Sequence, residues 1–192
     1  MDYNLKQIFS SRHKKRLINK KLTSAAVLVP LFNNGKECHI LLTKRSSALL
    51  HHKGQISFPG GKFHRTDSSL QETALRESWE EIGLNPKDVE VIGELDDTPT
   101  TTTGFLISPF VALIPYPYNF TRNPHEIDEI LDIPLSALMD KSCFKQEYVT
   151  DDNDNKIKAY SYEYKGRIIW GATSKIIKQL LGTLESAGGV QR

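Results

Sequence analysis

The sequence predicts an α/β fold, an α+β arrangement in which a mixed sheet packs between helices. Two observations carry this. Strand-like and helix-like segments are interspersed along the 192 residues without the one-for-one alternation that a doubly wound parallel sheet requires. Only two long segments, near 68–82 and 171–184, have the spacing of amphipathic helices, whereas several short apolar segments read as strands.

Tyr3, Leu5, Ile8 and Phe9 are spaced as a short docking helix, and a basic stretch at 12–21 follows. That stretch reads as a solvated arm, with a phosphate-attracting rim as the alternative. Residues 23–32 (TSAAVLVPLF) form a buried strand, Asn33-Asn34-Gly35-Lys36 a hairpin turn, and 38–43 (CHILLT) the returning strand. A polar, His-rich loop with short extended ends occupies 45–57. The helix at about 68–82 starts with a capping box, Ser68 with Gln71 or Ser69 with Glu72; Gly83 ends it and Pro86 prevents its resumption. Further strands are expected at 89–95, 105–114, 144–150 and 157–164, the last two joined by an acidic turn at 151–155. A short helix over 134–140 begins at Pro134, which suits a first helical turn. The last helix buries Ile176, Ile177, Leu180, Leu181 and Leu184. The chain thus divides into an N-terminal helix and basic arm (1–22), one domain (23–184) and a tail (185–192).

Lys and Arg number 25 against 23 Asp and Glu, a balance that calls for neither nucleic acid nor an anionic membrane as partner. Two distant cysteines, Cys38 and Cys143, lack metal-ligand spacing and read as a reduced pair. No apolar run approaches the roughly 18 residues of a membrane span, and no hydrophobic leader opens the chain, so the cytoplasm is the expected compartment.

The chemistry concentrates in 60–84, GGKFHRTDSSLQETALRESWEEIGL. Its first part reads as a loop in which Gly60-Gly61 allows close backbone approach to a ligand. Glu77, Glu80 and Glu81 lie three and four positions apart and share one arc of the helix, while Leu70, Ala74, Ser78 and Ile82 occupy the arc beside it. Crowded carboxylates repel, and a hard cation such as Mg²⁺, with its preference for oxygen ligands and phosphate, turns that repulsion into a binding site. A solvated acidic face is the alternative that spacing alone leaves open.

The wider pattern resembles the Nudix box. Gly61 stands at its beginning and Arg76-Glu77-Ser78-Trp79-Glu80-Glu81-Ile82-Gly83-Leu84 at its end. Three positions depart: the stretch from Gly61 to Arg76 is one residue longer, Asp67 stands in place of the first Glu, and Ser78 replaces an aliphatic residue. Leu41-Leu42-Thr43, Gly54 and Phe58-Pro59-Gly60-Gly61 are similar to the upstream motif of the coenzyme A pyrophosphatase branch. Thr103-Gly104-Phe105 before Pro109, and Ile169-Trp170-Gly171-Ala172-Thr173, are similar to downstream pieces of that branch. Leu50 stands where the branch motif carries an Arg, and His51, His52 and Lys53 follow it.

The resemblance implies a Nudix-type α/β/α sandwich and metal-dependent hydrolysis of the pyrophosphate of coenzyme A or its thioesters. The products would be 3′-phosphoadenosine 5′-phosphate and 4′-phosphopantetheine or its acyl form. It implies Mg²⁺ or Mn²⁺ held by Glu77 and Glu81, with Glu80 a third or water-mediated ligand. Arg76 is expected to orient a neighbouring carboxylate through a bidentate pair. Lys44, Arg45, His51, His52 and Lys53 are candidates for the substrate phosphates, Gly60 and Gly61 shape the loop beside them, and Glu126 is the candidate general base. Trp170 is expected in the core. The partner is a small coenzyme A-type nucleotide, and a homodimer is the assembly left open. ADP-ribose, a dinucleotide or a nucleoside triphosphate is the alternative substrate, and a non-catalytic nucleotide-binding module the alternative class.

Overall fold

The computed structural model describes residues 4–48, 52–100, 102–150 and 156–188. Helix α1 (Leu5–Ser10) leads into β1 (Thr23–Asn33) and β2 (Cys38–Arg45), then β3 (Ile56–Ser57) and β4 (Gly60–Lys62). Helix α2 (Leu70–Ile82) separates these from β5 (Glu90–Glu94), β6 (Thr98–Pro99), β7 (Phe105–Leu113) and β8 (Ile127–Pro134). The chain closes with α3 (Leu135–Met139), β9 (Phe144–Thr150), β10 (Lys156–Tyr164), β11 (Arg167–Trp170) and α4 (Gly171–Ser186).

The main sheet runs β3-β2-β1-β7-β5, with β4 paired to β1, β6 to β7 and β8 to β2. It is mixed, because β1 and β7 run parallel and the other pairs antiparallel. Both faces are covered, which is why β1 is buried almost end to end. Ala26, Leu28, Phe32, Leu41 and Phe110 pack with Ala74 and Ile82 of α2 on one face. On the other, Val29, Leu31, Ile40 and Leu42 meet Leu5 and Phe9 of α1 and the apolar stripe of α4. Strands β9–β11 form a second sheet whose Tyr162 and Ile169 join the α4 side of that core.

Local chemistry explains the boundaries of α2. Ser69 accepts the Glu72 N–H, and the Glu72 carboxylate accepts the backbone N–H of Ser68 at 2.6 Å and its hydroxyl. Gly83 takes the left-handed conformation (φ 68°) at the far end and donates to the Trp79 carbonyl at 2.9 Å.

Strands β6 and β11 are additions to the sequence reading, Pro134 closes β8 while α3 starts one residue later, and four further features differ. Gly60 and Gly61 lie in a short strand, because the close fit of β4 against β1 outweighs glycine's poor strand propensity. Residues 127–134 are a full strand: Ile127, Leu131 and Ile133 face inward between exposed acidic residues, an alternation that a reading by polarity takes for loop. Trp170 is 54% exposed, since β11 turns Ile169 into the core and Trp170 away from it. The basic arm is in part not solvated. The Lys14 ammonium pairs with Glu94 and Asp97, Arg12 pairs with Asp96, and the Lys15 and Leu17 N–H groups donate to Asp96 and Asp97. The acidic run 94–97 thus binds the cations that the alternative reading assigned to phosphate. The acidic turn at 151–155 lies outside the described residues. Among the described residues no helix is long and apolar enough to cross a membrane.

Candidate active site

Helix α2 presents its carboxylates at graded depth. Glu81 is 2% exposed, Glu77 retains 16% side-chain exposure and Glu80 50%. Burial pushes the Glu81 carboxyl up from 4.5 to about 8, against the Gly60 N–H and Arg45, which favour its charge; Glu77 and Glu126 add repulsion. Glu77 is raised too, chiefly by burial, with Glu80 and Glu126 repelling it and Arg76 opposing the shift. The expected candidate Glu126, 45 positions beyond Glu81 in sequence (126 less 81), is therefore brought within electrostatic reach of both box carboxylates.

Two strands bring the remaining groups to this pair. Gly60 of β4 donates its N–H to Glu81 Oε2 at 3.2 Å. A Cβ on Gly61 would overlap the Glu77 carboxylate, so the absence of a side chain there lets Glu77 lie against the strand. At the end of β2, a register irregularity between Lys44 and Arg45 accompanies an Arg45 guanidinium placed 3.8 Å from Glu81 Oε1. Arg45 Nε is buried with no hydrogen-bond partner among the described residues, so the guanidinium retains donor capacity beside the carboxylates.

Arg76 forms the bidentate pair expected of it. Its Nε and Nη2 donate to the two oxygens of Asp67 at 2.9 and 3.1 Å, and Nη1 reaches Glu77 at 2.8 Å and Glu80 at 2.9 Å. Asp67 also accepts from the Thr73 hydroxyl and the His64 N–H, and these bonds, led by Arg76, hold its carboxyl far below the usual range. Asp67 is thus the hub of the loop before α2, a role that the sequence signals only as a shortened stand-in for Glu. Asp67→Asn should cost about 3 kcal/mol at neutral pH by breaking a buried pair. Because the folded-state pKa is depressed, the lost stability is present above the ordinary Asp value and disappears as pH falls. The gap between the melting curves of the two proteins should therefore narrow from pH 7 to pH 3 without closing, because the folded-state carboxylate is still largely ionised at pH 3; a constant gap would exclude the ionic origin.

Other expected residues are less central. Lys44 is half-buried and its stem runs past Gly54. His52 and Lys53 are exposed, and the His52 ring bonds to Gln55. Leu50 and His51 lie outside the described residues. Residue 123 escapes the sequence reading: Asn123 donates its N–H to the Glu81 carbonyl and its amide to Glu126 Oε1. Two concavities of about 540 Å³ lie away from the carboxylates, one beneath Lys14, Leu17, Leu70 and Phe110, the other beside Arg12, Gln179 and Thr183. The Lys14, Glu94 and Asp97 charges in the first are already paired with one another.

The donor set suits a hard divalent cation. All the groups are carboxylates, and the buried one meets its nearby guanidinium only beyond hydrogen-bond distance. Among the described residues no three acidic, His or Cys side chains enclose an ion on their own. A Mg²⁺ ion bound by one or two carboxylates completes its octahedron with water and substrate phosphate.

The NUDIX domain model matches residues 22–149, a span holding every box residue described above. The chain belongs to the Nudix hydrolase family. It is 37% identical over 156 residues to the "uncharacterized Nudix hydrolase NudL" of Photorhabdus laumondii, covering 81% of this chain and 82% of that one. A NudL of Enterobacter sp. is 33% identical, covering 91% and 88%. Among solved structures, a MutT/nudix family protein from Enterococcus faecalis superposes with a TM-score of 0.55 at 16% identity, covering 88% of this chain and 64% of that one. The C. elegans Ap4A hydrolase does so with a TM-score of 0.51 at 17% identity, covering 62% and 84%. These structures share the Nudix sandwich, and the chain is a Nudix enzyme whose family generally uses divalent metal ions.

Proposed function

We propose that this Nudix hydrolase cleaves the pyrophosphate of coenzyme A or its thioesters, releasing 3′-phosphoadenosine 5′-phosphate and (acyl-)4′-phosphopantetheine. One observation carries the reading. The upstream segment that resembles the coenzyme A pyrophosphatase motif ends on the same carboxylates as the box, through Arg45 beside Glu81 and Gly60 bonded to it.

Glu77 and Glu81 would hold Mg²⁺ or Mn²⁺, with Glu80 contributing through water. Such an ion supplies Lewis-acid neutralisation of charge on the pyrophosphate oxygens. Arg45, whose partly exposed guanidinium lies beside Glu81, orients a phosphate. Gly60, bonded to Glu81, and Gly61, whose bare Cα leaves room for the Glu77 carboxylate, hold the two proposed ligands against the strand that the diphosphate would approach. Glu126 accepts a proton from the attacking water as its oxygen bonds to phosphorus, and the bridging P–O bond breaks with the second phosphate leaving as an anion. Arg76, tied to Asp67, holds Glu77 and Glu80 in register. Lys44 and Lys53 supply positive charge, and His51 and His52 ring donors, for the 3′-phosphate.

A second reading keeps this chemistry with ADP-ribose, a dinucleotide or a nucleoside triphosphate as substrate. Leu50, where the branch motif has an Arg, is the observation that favours it. Product analysis with coenzyme A and ADP-ribose, each with and without Mg²⁺ or Mn²⁺, separates the two. Metal-dependent formation of 3′-phosphoadenosine 5′-phosphate, faster than cleavage of ADP-ribose, is expected. Turnover of ADP-ribose alone would discard the coenzyme A assignment.

A further inference from the structure

Glu126 sits in an unfavourable position for a carboxylate. It is half-buried, and its charge repels both Glu77 and Glu81. A loop side chain left to itself would rotate away from two like charges. One side-chain contact opposes this rotation and two backbone contacts fix the Cα from which the side chain projects; residue 123 supplies two of the three. The Asn123 side-chain amide donates to Glu126 Oε1 at 3.2 Å, and its backbone carbonyl accepts the Glu126 N–H at 3.1 Å. The third is the Ser46 N–H, which donates to the Glu126 carbonyl at 2.7 Å, directly after Arg45.

Asn123 is itself anchored on the helix that bears the box. Its N–H donates to the Glu81 carbonyl at 2.9 Å, while its Oδ1 accepts the His125 N–H at 3.1 Å and so sets which face of the amide points at Glu126. The Ile127 N–H, at the start of β8, also donates to the Asn123 carbonyl at 2.9 Å. One residue therefore spans from the end of α2 to the carboxylate that must face it.

We propose that Asn123 is the positioning residue for Glu126, holding that carboxylate against the Glu77–Glu81 pair by an amide bond referenced to the backbone of Glu81. The proposal rests on the reading of Glu126 as general base. Asn requires both ends of its amide here: an acceptor for the turn and a donor for the carboxylate. Asp keeps the acceptor and the shape but turns a second negative oxygen toward Glu126. Asn123→Asp therefore removes the positioning function while retaining the turn.

The experiment is a double-mutant cycle of Asn123→Asp and Glu126→Gln in the full chain with Mg²⁺, assayed on coenzyme A or on the pyrophosphate that product analysis puts in its place. Melting midpoints are measured alongside, and Asn123→Ala serves as a second single variant should the Asp variant fail to fold. Glu126→Gln is expected to lower kcat on the order of 10²-fold, the usual contribution of a general base. Asn123→Asp should lower kcat roughly tenfold with KM and melting midpoint little changed, and should lower it no further in the Glu126→Gln background. A slow Glu126→Gln with Asn123→Asp at the wild-type rate overturns the positioning role and leaves the base assignment standing. Additive losses, or a change in KM alone, also overturn it by showing that Asn123 acts through another group. A fully active Glu126→Gln overturns the base assignment and the positioning role together.

Discussion

Glu81→Gln is expected to abolish metal-dependent turnover and, at the same time, to stabilise the metal-free protein at alkaline pH. The loss of activity should be on the order of 10³-fold, about 4 kcal/mol of barrier. The gain in stability follows from burial. Glu81 titrates near 8 in the fold, compared with 4.5 for the ordinary side chain. Between these values the native chain holds a proton that the unfolded chain has released, so this group's contribution to stability falls as pH rises through that window and is level above it. The accumulated cost has a ceiling of roughly 5 kcal/mol, since each pH unit crossed between the two values contributes about 1.36 kcal/mol. Gln retains the volume and an oxygen for the Gly60 N–H, yet carries no charge to desolvate. Calorimetry in a chelator at pH 9 should show the variant melting several degrees higher, at about 2–4 °C per kcal/mol for a chain of this size. Near pH 4 the difference should vanish. Added Mg²⁺ should raise the wild-type midpoint and leave the variant's unchanged, because only the former gains a ligand on binding. A variant less stable than wild type at pH 9 would sink the claim that burial strains this carboxylate.

The second large effect separates two neighbouring glycines. A Cβ on Gly60 would meet the Ala26 carbonyl oxygen and lie 2.6 Å from Val27 Cα, both fixed backbone of β1, and Gly60 has φ 152°. Gly60→Ala should therefore destabilise the fold by at least about 2 kcal/mol. A Cβ on Gly61 would instead meet the end of the Glu77 side chain, which can swing aside. Gly61→Ala should melt close to wild type but lose on the order of 10²-fold in kcat, because the displaced group is a proposed metal ligand and misplacement of about 1 Å carries a penalty of that size. Melting curves and rates on the two variants test the contrast. Equal stability losses, or an active Gly61→Ala, would refute it.

These expectations show where information resides in this chain. The box helix is legible because periodicity, caps and spacing are local: Ser69 with Glu72 at one end and Gly83 at the other need no distant partner. The pairing of Arg76 with neighbouring carboxylates is legible, although its main partner, Asp67, stands out only as a departure from a motif. Strand β8 escapes a reading by polarity because its inward residues are separated by Asp128, Glu129 and Asp132, whose solvent exposure depends on which sheet edge the strand joins. The basic arm misleads for a similar reason. Charge patterning reveals cations, but the acidic run that neutralises them lies about 80 residues away in sequence, as the Lys14–Glu94 pairing shows.

By itself the sequence determined the mixed α/β class, the extent of the box helix and the chemical type of its carboxylates, because each follows from residue periodicity and local hydrogen bonding. Tertiary structure alone decided the depth of each carboxylate, the approach of Arg45 and Glu126 to them, and the Asn123 link between Glu81 and Glu126. Those are outcomes of strand register and of burial, which set dielectric and distance together, and neither quantity is written in any one segment of the chain.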